Sequence, residues 1–269
     1  HRVRQFPPGV TKWRKQFVDQ VVRHPDVFTA IGSQLTLTEV RALADEGISW
    51  LREVSAILEL LYSKHRDLPF TDPLDELVAR LIGQSIGNEV ARQAVIAIRS
   101  EFSDWDKVRT ARIPELRRAA DTNLPADVVR LVKSMLTEIH KRFGSCTLAP
   151  LRKWGNEKLE EFFVSLPGVT PDDARSLMAE SLDRQVFVAD RERTRVLSRL
   201  GPYRDLGLNM KPIHHSKRQH FITSFLPPNL RLVLHHHLSS HAHQVCHAKR
   251  PDCTTCGLKK FCQHYRENT

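Results

Sequence analysis

Four cysteines near the C-terminus are the residues whose type and spacing most clearly point to chemistry. Cys246, Cys253, Cys256 and Cys262 follow a C-x6-C-x2-C-x5-C pattern, four of the chain's five cysteines within seventeen residues. Thiolates at such spacings can converge on one soft metal centre, either an iron–sulfur cluster or a structural zinc. Zinc sites more often show two Cys-x-x-Cys knuckles, or one knuckle with a histidine pair, and only one knuckle occurs here. Disulfides or free thiols are the third alternative. Lys249, Arg250, Lys259 and Lys260 lie among these cysteines, and taken alone they read as solvated surface charge.

A second constellation is a turn and a carboxylate. Leu166-Pro167-Gly168-Val169-Thr170-Pro171 stands between two helical segments, and its glycine allows a tight turn. Such a turn leaves amide N–H groups free at the start of the next helix, where they can receive a phosphate. An ordinary helix–turn–helix corner would look much the same. Asp190 follows Gly168 by twenty-two residues, in a position where it can also serve as a plain helix N-cap.

The elements that must position these groups are helical. Glycine is sparse, alternating β-branched runs are nearly absent, and apolar residues recur at three- and four-residue spacing. Thr38 to Arg66 reads as a helix with Leu51, Val54, Ile57, Leu58 and Leu61 on one face. Asp72-Pro73 offers an N-cap and a first-turn proline for a helix over Leu74 to Gly83. Further helices are expected over Glu89–Phe102, Ile113–Ala120, Pro125–Phe143, Asn156–Ser165, Pro171–Glu180, Asp190–Leu200 and Asn229–Gln244. The first forty residues are less legible: Phe6 to Gly9 reads as a loop and Lys12 to His24 as a short amphipathic helix. Cys146 reads as a small buried hydrophobe. The histidines at 214–215, 235–237, 241 and 243 read as partly buried polar residues or surface donors, although His237 and His241 could pair on a helix to hold a metal.

Composition narrows the partner. The chain of 269 residues is 41% hydrophobic and 27% charged, which fits a folded globular protein and excludes a disordered one. Length favours two domains. A net charge of +10 points to a polyanion, because basic faces gain free energy by releasing counterions from phosphates. No apolar run approaches the roughly 20 residues that span a bilayer, and no signal-peptide pattern is evident. An odd cysteine count with four clustered fits an intracellular reducing compartment.

These pieces together resemble the endonuclease III-like helix-hairpin-helix superfamily of DNA glycosylases, over roughly residues 45 to 265. The matching features are the cysteine spacing, the Leu-Pro-Gly-Val hairpin, and Asp190 followed by Arg195, Val196 and Arg199. The segment from Pro73 to Ser85 is similar to a family helix ending in a glutamine, and Leu238 to Cys246 to the family's entry into the cluster. The resemblance implies an all-α, two-lobed fold: N-terminal helices over 1–65, a helical lobe over 66–185 ending in the hairpin, and a cluster-bearing part over 186–269. It implies a 4Fe-4S cluster on the four cysteines and double-stranded DNA as partner of a monomer. DNA would lie across the cleft between the lobes, with the catalytic Asp190 at its floor. Gly168, Val169 and Thr170 would contact phosphate, and Lys249, Arg250, Lys259 and Lys260 would join Arg195 against DNA. Gln84 would fill the space left by an extruded base, with Asn123 and Leu124 as a second wedge. Asp190 would stabilise the positive charge that builds on the sugar as the N-glycosidic bond breaks, or activate water.

Departures from the family pattern refine the expectation. Members that also cut the strand carry a lysine four residues after the hairpin glycine; that position is Asp172 here. Excision without a lyase step is therefore expected, or altered or lost catalysis in a DNA-binding protein of the same fold. The glutamate of the adenine-specific members falls on Arg80, which disfavours that specificity. Asp172 and Asp173 bring negative charge to the expected phosphate contact and should weaken it.

Overall fold

The computed structural model describes residues 37–62, 70, 72–200, 219, 222–224 and 226–268. The expected loop at Phe6 to Gly9, the helix over Lys12 to His24, and His214-His215 lie outside them. Among the described residues the chain is helical, with no strand. It divides into two compact units, His1–Arg66 with Gln185–Thr269, and Asp67–Arg184.

The central unit is built from short helices with clear local start signals. Helix α2 (Pro73–Ile86) begins as expected: Asp72 accepts a hydrogen bond from the Leu74 amide at 2.9 Å, and Pro73 fills the first helical position. It buries Leu74, Leu77, Val78, Leu81 and Ile82 and packs against α3 (Asn88–Glu101), α6 (Ala126–Phe143) and α8 (Pro171–Glu180). Two further helices, α4 (Trp105–Thr110) and α5 (Ile113–Ala119), pack on α6. Helix α4 was not anticipated, because six residues carry only one i, i+3 apolar pair, Trp105 and Val108. Helix α7 (Asn156–Val164) lies against α8, and the hairpin joins them.

The other unit has one core. Ile48, Leu51, Val54, Leu58 and Tyr62 of α1 (Leu37–Tyr62) meet Val196, Leu197 and Leu200 of α9 (Arg191–Leu200), and Leu234, Leu238 and Ala242 of α10 (Pro228–Gln244). Each Val, Leu or Ile among them stabilises the fold by about 1.5–3 kcal/mol on burial. Cys246, Cys256, Leu258 and Cys262 belong to the same core. The cysteine loop is thus folded onto the ends of α9 and α10, and α11 (Gln263–Asn268) closes it. One expected core residue of α1 is displaced: Leu61 is 46% exposed and Tyr62 is buried in its stead. Leu61 instead lies beside Gly257, where a Cβ would come within 2.8 Å of its methyl group. No helix among the described residues is long and apolar enough to cross a membrane.

Candidate functional site

In the central unit the hairpin Leu166–Thr170 makes the turn that its glycine foretells. Gly168 has φ +79°, and an added Cβ would lie 2.8 Å from the side chains of Leu131 and Leu81. Only glycine meets both demands. The amides beyond it are not left open. Val169 N–H donates to the Leu166 carbonyl at 3.3 Å, and the Val169 side chain is buried. Thr170 N–H donates to Asp173 Oδ2 at 3.1 Å, and the Asp173 amide returns a bond to Thr170 Oγ1 at 3.2 Å. This is a capping box at the start of α8. In this structure the Val169 and Thr170 amides, expected to receive a phosphate, bond to the protein's own carbonyl and carboxylate.

Asp173 also reaches Gln84. The Gln84 side-chain amide donates to Asp173 Oδ2 at 3.0 Å and to the Gly168 carbonyl at 3.3 Å. Gln84 is exposed at the end of α2 but tethered to the hairpin. In the loop before α6, Asn123 is exposed while Leu124 is only 1% exposed. The reading of Leu124 as a wedge is corrected, because its side chain is part of the lobe's core. Asp172 lies 3.6 Å from Arg175, which in turn pairs with Glu160 at 2.5 Å. Arg80 is bracketed by Glu76, at 3.0 Å, and Glu180. Burial pushes the Glu76 carboxyl up, opposed chiefly by Arg80.

In the other unit Asp190 is held more rigidly than an N-cap requires. Its Oδ1 accepts from the Arg193 amide at 2.8 Å, its carbonyl accepts from Thr194 N–H at 3.0 Å, and Oδ2 pairs with Arg193 Nη1. The Arg193 side chain is only 7% exposed, whereas that of Asp190 is 33% exposed. Arg193 Nε donates to the His235 carbonyl at 2.7 Å, and Nη2 lies 3.1 Å from His235 Nε2. His235 is fully buried. The segment leading into Asp190 is splinted by buried Gln219, whose Oε1 accepts from Ala189 N–H and whose Nε2 donates to the Phe187 carbonyl, both at 2.7 Å. Arg193, His235 and Gln219 were missed in the sequence. The one readable trace was Arg193, three residues after the cap and so within reach of its carboxylate.

Arg195 and Arg199 turn the other way. Arg195 donates to the carbonyls of Cys246, at 3.1 Å, and Ala242, at 3.2 Å. Arg199 donates to the His247 carbonyl at 2.6 Å and the Ala248 carbonyl at 2.8 Å, and to Cys246 Sγ at 3.3 Å. The guanidinium of Arg195, expected to meet DNA, here satisfies carbonyls at the end of α10 and the start of the cysteine loop. Cys246, Cys253, Cys256 and Cys262 line one cavity, together with Arg199 and His241. Behind it, His241 Nδ1 is 2.7 Å from the Tyr62 hydroxyl and Nε2 is 3.6 Å from Cys256 Sγ. Burial lowers the His241 pKa to about 4, so the ring is neutral. His237 and His241 flank the Tyr62 ring, with centroids 6.4 and 5.8 Å away; they pack an aromatic side chain. Lys249, Arg250, Lys259 and Lys260 are all exposed on this loop.

No family model matches the chain. A solved non-covalent complex of endonuclease III with DNA superposes with a TM-score of 0.62 at 15% identity, covering 87% of this chain and 98% of that one. A thermostable thymine-DNA glycosylase does so with a TM-score of 0.62 at 14% identity, covering 81% and 98%. The chain has the endonuclease III-like helix-hairpin-helix fold. In sequence, the endonuclease III of Sulfolobus acidocaldarius is 29% identical over 112 residues, 42% of this chain and 48% of that protein. The chain spans less than half the length of the curated relatives with which it aligns first. In this fold α7, the Gly168 turn and α8 form a helix–turn–helix, and Asp190 opens the helix α9 of the other unit.

Proposed function

We propose that this chain is a DNA glycosylase that hydrolyses an N-glycosidic bond through Asp190 and water, without a lyase step. The observation that carries the reading is the fixed carboxylate of Asp190: anchored by the α9 amide and a buried arginine, yet one-third exposed. Such a group can face the cationic sugar of a flipped nucleotide without reorganising when the charge develops. Arg193, backed by His235, holds its orientation. Asp172 supports the absence of a lyase step, since a carboxylate paired with Arg175 cannot form a Schiff base with the sugar.

The four cysteines fit a metal cluster better than a single ion. In a tetrahedral zinc site, with Zn–S about 2.3 Å, the sulfurs lie about 3.8 Å apart. Here the four cysteines line one cavity, yet no three of them bring their sulfurs within 4.8 Å of one another. Cys246, Cys253, Cys256 and Cys262 would hold a 4Fe-4S cluster whose contribution is to fold the loop that carries Lys249, Arg250, Lys259 and Lys260. Those four cations would then bind double-stranded DNA through its phosphates.

The test is excision from duplexes bearing a panel of modified and mispaired bases, thymine in a mismatch included, followed by alkali. Base release that is lost in Asp190→Asn, with no borohydride-trapped adduct, is the expected result. Release by Asp190→Asn at the wild-type rate overturns the reading. A second reading, a DNA-binding protein that excises nothing, is favoured by one observation: Asp173 occupies the hairpin donors. Tight binding without release across the whole panel would select it.

A further inference from the structure

Cys146, the cysteine outside the C-terminal loop, does not sit in an apolar environment. It follows Gly144, the left-handed C-cap of α6, in a turn that is only half-buried. Its neighbours come from two other places in the central unit: Asp106 on α4, and His140 in the last turn of α6. Asp106 Oδ2 accepts from Cys146 N–H at 2.8 Å, and Oδ1 lies 2.6 Å from His140 Nδ1. One carboxylate oxygen, one ring nitrogen and the Cys146 sulfur all lie within 4.8 Å of one another, the only such group of three among the described residues.

We infer that Asp106, His140 and Cys146 form a binding site for a single divalent ion of the zinc class. The donor set is one oxygen, one nitrogen and one sulfur, a mixture that suits a borderline-soft ion and neither a hard alkaline-earth ion nor a cluster. Three protein ligands leave the fourth tetrahedral position to water. The backbone already holds the donors in place: α4 is capped by Asp104, whose side chain accepts from Lys107 N–H at 2.8 Å, and α4 packs on α6. The carboxylate oxygen and the ring nitrogen, 2.6 Å apart, need separate by less than about 1 Å to reach the spacing of a zinc tetrahedron.

The charges balance. On uptake of M²⁺ the Cys146 thiol loses its proton to water, giving one thiolate and one carboxylate against two positive charges. To ligate, His140 must present Nδ1 without a proton, in place of its present contact with Asp106 Oδ1. Arg109, whose Nε is 3.5 Å from Asp106 Oδ1 and buried without another hydrogen-bond partner, remains as the outer partner of the carboxylate. The ionisable groups facing Cys146 are Asp106, Arg109 and His140. Burial, and then Asp106, raise the thiol's pKa to about 12.

The experiment compares zinc bound per chain, at fixed iron content, in the wild-type chain and in Cys146→Ser and His140→Gln. The cysteine loop contributes equally to all three, so the difference reports this site alone. The wild type is expected to bind one zinc equivalent more than either variant. Co²⁺ is expected to give it a thiolate charge-transfer band in the near ultraviolet, absent from Cys146→Ser and diminished in His140→Gln. His140 is substantially exposed, so His140→Gln keeps the test open should Cys146→Ser fold poorly. Equal zinc stoichiometry in the wild type and His140→Gln, with an unchanged cobalt band, would reduce the cluster to a hydrogen-bonded turn and end the proposal.

Discussion

Two helix starts, one in each unit, use a similar device to opposite effect. At α8 the carboxylate sits three residues into the helix: Asp173 folds back over Thr170 N–H and Oγ1, and takes a third bond from Gln84. At α9 the carboxylate sits on the cap itself. Asp190 takes one amide and one arginine of the following turn, and a third of its side chain stays exposed. The first arrangement spends the carboxylate on donors that an incoming phosphate would need. The second braces it from behind with a buried cation and leaves it a free face. A three-position difference in where the acid stands relative to the cap decides whether the helix start closes itself or presents a reactive group.

That contrast can be tested in order of effect. Asp190→Asn keeps the cap acceptor but removes the charge, and excision should fall on the order of 10²–10³-fold in single-turnover assays, the loss typical of one preorganised transition-state contact. Arg193→Met leaves Asp190 unbraced and the His235 carbonyl without its donor. Urea unfolding should report a loss of about 3 kcal/mol, the cost of breaking one side of a buried pair. Gly168→Ala meets both a left-handed backbone and the side chains of Leu81 and Leu131, and should cost about 2 kcal/mol in the same measurement. Asp173→Asn is the smallest change and has the opposite sign. Removing one negative charge beside the hairpin donors should tighten duplex binding roughly fivefold at low salt, measured by anisotropy, in line with about 1 kcal/mol for one charge near a phosphate in water. Unchanged binding would mean that the hairpin does not meet the backbone, and the contrast between the two helix starts would lose its functional half.

Much of this architecture is written locally. Asp72-Pro73 marks the start of α2 and Thr170-Pro171 that of α8, because cap and first-turn preferences act within four residues. Where local signals were thin, the outcome differed. Six residues of α4 carry too little periodicity to be seen. Leu61 has the spacing of a core residue but lies at the end of α1, where it covers Gly257. Leu124, in a polar-looking loop, is drawn into the lobe, with Arg117 donating to its carbonyl at 2.7 Å. Arg195 follows the family spacing, and yet its guanidinium is claimed by carbonyls forty-seven and fifty-one residues away.

The sequence by itself determined the helical class, most helix boundaries, the glycine turn, and the grouping of four thiols, because each follows from periodicity, caps or spacing over a few residues. Only the tertiary structure decided which polar groups are spent and which are available. Asp173 is consumed and Asp190 is braced; His235 stands behind Arg193, and Cys146 meets a carboxylate forty residues earlier. A side chain's hydrogen-bond partners depend on groups that packing brings from elsewhere, and no local pattern in the chain encodes their positions.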